Sequence, residues 1–118
     1  MAFTPMTVIE TAAFRDRAKG ILNESQRADL VAYLATNPEA GRLIPGTGGA
    51  RKLRWAISGT GKRGGARTIY YYHNPSIPLF VLDIYAKSER SDLSEADKRS
   101  LKRLLTQIPS QCAGGKRS

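Results

Sequence analysis

With 118 residues, 41% of them hydrophobic and 25% charged, the chain is long enough for one domain and too short for two. Nineteen Lys and Arg against ten Asp and Glu give a net charge of +9, which points to a polyanionic partner, either nucleic acid or an acidic protein. A single cysteine excludes an internal disulfide, one histidine beside it with carboxylates at no ligand spacing speaks against a zinc site, and no run approaches the ~18 apolar residues of a membrane span.

The predicted elements run in the order β-α-α-β-β-β-α. Residues 7–11 lean to a strand. Phe14, Ala18, Ile21 and Leu22 recur at helical spacing, and Gly20 breaks or ends that helix. A second helix starts near Asn23, with Gln26 placed for a capping box and Leu30, Val31 and Leu34 as its apolar stripe. It stops at Asn37-Pro38, because proline pushes the residue before it out of the α region. Two antiparallel helices are the natural outcome.

The glycines and proline of residues 41–49 predict a loop with no regular structure. Strand candidates follow at 53–56, 66–73 and 79–86, separated by a glycine-rich stretch at 58–65 and turn residues at 74–78. Alternation in the last strand sets Phe80, Leu82, Ile84 and Ala86 on one face, under the helices. Leu79, Val81, Asp83, Tyr85 and Lys87 fall on the other. A final helix, capped by Ser94 with Asp97 three residues on, buries Leu101, Leu104, Leu105 and Ile108 and ends before Pro109. The expected fold is α+β: a small, mainly antiparallel sheet packed against two N-terminal helices and a C-terminal helix. It fills residues 1–108, with 109–118 as a flexible tail holding an inert Cys112. Met1 and the residues that follow lack the apolar stretch of a signal peptide, so cytoplasm is the expected location.

The distribution of charge says more than the total. No acid lies between Glu39 and Asp83, yet that stretch carries Arg42, Arg51, Lys52, Arg54, Lys62, Arg63 and Arg67. Basic groups with no interleaved acids need an external anion or open solvent. Gly59-Thr60-Gly61-Lys62 imitates a phosphate-binding loop, but position 56 is Ala, position 63 is Arg, and a strand follows instead of a helix. What remains is a basic loop joining two strands. Arg54 and Arg67, on those strands, become neighbours across a hairpin, and Tyr85 and Lys87 end the next strand. Such a cluster suits metal-free RNA cleavage, in which a 2′-hydroxyl attacks the adjacent phosphorus and arginines stabilise the phosphorane. A lysine crowded by arginines gives up its proton more readily, which fits acid–base work. Of Tyr70, Tyr71 and Tyr72, alternate rings point to opposite sides, so at least one is placed to stack on a base and the others to fill the core. Trp55 is read as core. His73, at a strand end, is a secondary acid–base candidate.

Three segments carry a family likeness: Gly46-Thr47-Gly48-Gly49-Ala50-Arg51-Lys52-Leu53-Arg54-Trp55, then Gly61-Lys62-Arg63-Gly64-Gly65-Ala66-Arg67-Thr68-Ile69-Tyr70-Tyr71, then Tyr85-Ala86-Lys87-Ser88-Glu89. Together they resemble the RelE/HigB superfamily of type II toxins, most closely its HigB branch, over residues 8–107. The resemblance implies a RelE-like fold and ribosome-dependent cleavage of mRNA in the decoding site. It implies Arg67 on the scissile phosphate, Lys87 as a basic active-site residue, and Lys62 and Arg54 around them, with Tyr85 as a further catalytic candidate. Arg63, Arg51, Lys52 and Tyr72 are the expected RNA contacts, and no metal or cofactor is expected. Where some RelE toxins carry a tyrosine this chain has Leu93, so their acid–base assignment does not transfer. The family further implies a cognate antitoxin with a DNA-binding domain, through which alone the toxin meets operator DNA. The competing readings are a ParE-like inhibitor of DNA gyrase with the same fold, and a noncatalytic RNA-binding module.

Overall fold

The structure, a computed structural model, describes residues 5–57, 65–88 and 92–116, with side chains as far as Ile108. Its elements in chain order are β1 (Val8–Glu10), α1 (Ala12–Ala18), α2 (Glu24–Thr36), β2 (Arg42–Leu43), β3 (Ala50–Trp55), β4 (Ala66–Tyr71), β5 (Leu79–Ala86) and α3 (Glu95–Lys116). The strands form one sheet in the order β1-β5-β4-β3-β2. Among the described strands, only the β1–β5 pair is parallel. The α+β architecture expected from the sequence is thus present, with one strand more. No described helix is long and apolar enough to cross a membrane.

Local signals set the helix starts. Asn23 Oδ1 accepts the Gln26 amide at 2.7 Å while Gln26 Oε1 accepts the Asn23 amide at 2.9 Å, closing the expected capping box on α2. Ser94 and Asp97 do the same for α3, at 3.1 and 3.3 Å. The end of α3 differs from expectation, because the helix runs through Pro109 to Lys116. A proline removes one intrahelical hydrogen bond and kinks a helix without always ending it. Strand β2 falls within the stretch expected to be irregular. It is two residues long and exists through its partner, with Arg42 opposite Lys52 and Leu43 opposite Arg51.

Both faces of the sheet are covered. Phe14, Ala18, Leu22, Leu30 and Leu34 of the α1–α2 layer pack on Leu53, Ala66, Tyr70, Leu79, Val81 and Ile84. On the opposite face, Leu93, Leu101, Leu105 and Ile108 of the α3 segment pack on Ile44, Ala50, Ile69, Tyr71, Leu82 and Tyr85. Central β4 is buried along its whole length.

The alternation expected for β5 fails because the strand carries a bulge. Ile69 pairs with Asp83 and Tyr70 with Val81, leaving Leu82 as the extra residue. Before the bulge, Leu79 and Val81 face α1 and α2 while Phe80 faces α3. After it the phase is shifted, so Ile84 faces α1 and α2 and Tyr85 faces α3. Thr11 secures this irregularity. Its hydroxyl donates to the carbonyls of Val81 and Leu82 at 2.9 and 3.2 Å, and it also caps α1 by accepting the Phe14 amide. Asp83 accepts the Ile84 amide at 2.8 Å and lies 3.6 Å from Arg17 of α1.

Candidate active site: a basic groove on the sheet

Residues paired across neighbouring strands share a face of the sheet. Arg67 of β4 lies between Arg54 of β3 and Tyr85 of β5, so the three form a row on the α3 face. Two residues along β3, on the same face, Lys52 lies opposite Arg42 of β2. The body of α3 covers the Ile69–Tyr71 end of this face and leaves the Arg67 end open. There a groove of about 610 Å3 is lined by Ala40, Arg42, Lys52, Leu53, Arg54, Arg67 and Lys87. Five of these seven carry positive charge, and none of the described lining residues is acidic. Like charges directly opposed on a sheet are destabilising, so the facing Arg54–Arg67 pair favours an anion between the forks.

The row is built differently along its length. Arg67 is only 6% exposed and is held within the central strand, whereas Arg54 is exposed. Its neighbour Tyr85 is 1% exposed and belongs to the α3-side core. The structure therefore makes Tyr85 the floor beneath the groove, with its hydroxyl out of solvent. Lys87 follows β5, its amide donating to the Gly65 carbonyl at 3.2 Å, which ties it to the base of the β3–β4 hairpin. Gly65 is needed there: its φ is +62°, and a Cβ would come within 2.2 Å of the Trp55 carbonyl oxygen.

The outer wall of the groove is tied down by polar contacts. Lys52 Nζ lies 3.3 Å from Asp92 Oδ1, at the approach to α3. The Leu93 amide, first, and then Lys52 hold the Asp92 carboxyl below the usual carboxylate range. On the opposite side Tyr70 fastens the segment that leads into β2. Its hydroxyl accepts the Gly41 amide at 2.7 Å and donates to the Pro38 carbonyl at 2.9 Å. Burial pushes the Tyr70 phenol up. Gly41 permits this approach, because a Cβ would stand 2.8 Å from the Tyr70 ring.

Several expected site residues lie elsewhere. Arg51 shares the face of its partner Tyr70, and its guanidinium donates to the carbonyls of Gly41 and Glu39 at 2.8 and 3.2 Å. It braces the groove wall from behind. Tyr72 packs, half-buried, against the core under α1 and α2. Trp55 packs on that same core and meets Tyr33 at 5.4 Å between ring centroids, as a core residue should. His73 Nδ1 lies 3.1 Å from the Tyr71 hydroxyl, and it does not line the groove. Leu93 is buried in the α3-side core. Lys62 and Arg63 fall outside the described residues, as does the side chain of Cys112. No group of ligands able to hold a metal occurs among the described residues. Arg42 is the groove residue that sequence reasoning did not single out as a site residue. Its only signal was membership of the acid-free stretch.

The arrangement can bind a phosphodiester, with forked donors on two facing strands and ammonium groups to either side. Comparison with known proteins agrees with this geometry. A family model described as the RelE toxin of the RelE/RelB toxin–antitoxin system matches residues 6–113. Among solved structures, the Escherichia coli toxin RelE, a double mutant in the free state, is similar at a TM-score of 0.53 and 19% sequence identity. The match covers 84% of this chain and 97% of that one. At that identity the structural likeness establishes the fold, and the family model over nearly the whole chain establishes the kinship. The chain belongs to the RelE toxin family of type II toxin–antitoxin systems.

Proposed function

We propose that the protein is a metal-independent endoribonuclease that cleaves mRNA in the ribosomal A site in the cytoplasm. The observation that carries this reading is the groove of five cations built around the facing Arg54–Arg67 pair. In the proposed reaction the 2′-oxygen bonds to phosphorus as its proton leaves. The bond from phosphorus to the 5′-oxygen then breaks, and that oxygen takes up a proton. The products are a 2′,3′-cyclic phosphate and a 5′-hydroxyl. Arg67, fixed in the central strand, holds a non-bridging oxygen as charge develops, and Arg54 reaches in from the exposed strand. Lys87 and Lys52, on either side, are the candidates for proton transfer. Tyr85 supports Arg67 from below and does not touch substrate.

The cognate antitoxin, a protein with a DNA-binding domain, would silence the site by covering these cations with an acidic segment. A ParE-like action on gyrase needs no such anion-binding row, which is why the nuclease is preferred. The test is cleavage of mRNA by purified protein, with and without ribosomes, beside Arg67→Ala/Lys87→Ala. Removing a single preorganised donor costs about 10²–10³-fold in rate, so the double variant should leave no detectable cutting. Absence of cutting by the wild type under both conditions, with inhibition of gyrase supercoiling, would sink the nuclease in favour of the ParE-like reading.

A further inference from the structure

The positive charge of this molecule does not end at the groove. No acidic residue follows Asp97 in the sequence, and Lys98, Arg99, Lys102 and Arg103 fall in the next six positions. Lys98 is engaged with Glu95 at 3.5 Å. Arg99, Lys102 and Arg103 are exposed, and none of them is ion-paired among the described residues. Their i, i+3, i+4 spacing places all three on one strip of α3. With Thr106 and Gln107 they line a shallow depression of about 550 Å3.

The direction of that strip is set by the core. Leu101, Leu105 and Ile108 point α3 at the sheet. At 100° per residue, Asp97, Ser100 and Leu104 lie on one flank and Lys98 and Lys102 on the other, while Arg99 and Arg103 point away from the sheet, next round the helix from Lys102. The first flank faces Thr11, Leu82 and Asp83, where the lining is apolar with two carboxylates. The second faces β2 and β3: the loop between those strands packs on Lys102, with Gly48 close enough that a Cβ would stand 3.6 Å from the Lys102 Cα. Lys52 of the groove is itself tied to Asp92 at the approach to α3. A path therefore leads from Arg54 and Arg67, past Lys52 and Arg42, to Lys102 and through it onto the outer basic strip of α3. It offers cations, a hydroxyl and an amide; the exposed Leu43 and Leu104 lie off it, Leu43 on the face of Arg51 and Leu104 on the opposite flank of α3.

We infer that this strip is a second RNA-binding surface, which holds the backbone of the RNA running on from the groove and adds affinity without taking part in cleavage. The inference rests on the groove being an RNA site. It predicts a measurable electrostatic signature, since each phosphate neutralised by a cation on single-stranded RNA contributes about 0.7 to the slope of log K against log salt.

The experiment compares wild type with Arg99→Gln/Lys102→Gln/Arg103→Gln, using uncleavable 2′-O-methyl RNA in a salt titration followed by fluorescence anisotropy. On a long oligonucleotide the triple variant should lose about 2 from that slope. On a trinucleotide, confined to the groove, the two proteins should coincide. Arg15→Ala/Lys19→Ala, which removes two exposed charges from α1 and its C-cap, should keep the wild-type slope and so shows that charge lost elsewhere does not lower it. The substituted positions are exposed, and circular dichroism with a melting curve verifies the fold. Equal slopes for triple variant and wild type on long RNA would overturn the inference. So would unchanged RNA binding combined with lost binding to polyglutamate, which would reassign the strip to an acidic protein. Loss of slope in the triple variant while the wild type cleaves no mRNA would leave the second surface standing and remove the nuclease alone.

Discussion

The two faces of the sheet are built from the same strands and do opposite work. On the α1–α2 face, polar groups are spent on the protein itself: Tyr70 and Arg51 are occupied by the carbonyls and amide of residues 38–41. On the α3 face, the neighbouring residues of the same strand, Lys52 and Arg54, line an open groove. Arg51 and Lys52 differ by one position and by half a turn of the pleat, and that difference separates a brace from a binding group. A basic residue on a strand acquires its role from the face it occupies.

This contrast can be broken at the point where both faces share backbone. Gly65 closes the β3–β4 hairpin, and Gly65→Ala sets a Cβ against the Trp55 carbonyl in a left-handed conformation. The expected loss is about 3 kcal/mol or more, read by denaturant unfolding, with the groove lost along with the fold. A variant that melts like wild type would show that the hairpin can close another way.

The structural face is tested alone by Tyr70→Phe, which keeps the ring and removes two hydrogen bonds. A cost of about 2 kcal/mol is expected, at ~1 kcal/mol per bond. The pH dependence has a definite sign. Burial raises the phenol's pKa in the folded state, so its contribution is present below the ordinary tyrosine value near ~10 and is lost as pH rises beyond it. Wild type should therefore lose stability through alkaline pH more steeply than Tyr70→Phe, and parallel curves would contradict the buried, donating hydroxyl.

The smallest effect expected has the opposite sign. Thr68 is fully buried between Leu53 and Ile84, and its hydroxyl finds no hydrogen-bond partner among the described residues. Thr68→Val keeps the shape and removes the orphaned hydroxyl, so it should stabilise by about 1 kcal/mol. Cleavage at saturating RNA should be unchanged, because the side chain lies on the face away from the groove. A destabilised Thr68→Val would show that the hydroxyl is satisfied in solution.

How much was legible in the sequence follows the range of each signal. Capping boxes involve residues three apart, and both were readable at Asn23 and Ser94. The adjacency of Arg54 and Arg67 was readable too, since a hairpin forces its two strands together. Long-range placement was not. Strand β2 has little of its own to declare, because the register of β3 creates it. Tyr72 and Arg51 carried the right chemistry for RNA, but which way they turn depends on where β3 and β4 begin and end. Tyr85 was expected at the groove; the bulge at Leu82 sets it on the α3 face beside Arg67, where the α3-side core buries it. A single extra residue in pairing leaves no mark in composition.

That bulge also divides β5 into two independent halves. Upstream of Leu82 the strand follows the pairing set by β1 and the N-terminal helices; downstream it follows the row that carries Arg67. It works as a phase shifter in a transmission line, letting each half keep its own alternation without disturbing the other. Removal of Leu82 would leave Val81 and Asp83 opposite Tyr70 and Ile69 in an unbroken ladder, with Ile84 and Tyr85 on their present sides. One strand can therefore send Leu79 and Val81 into the α1–α2 core and still set Tyr85 in the row with Arg67.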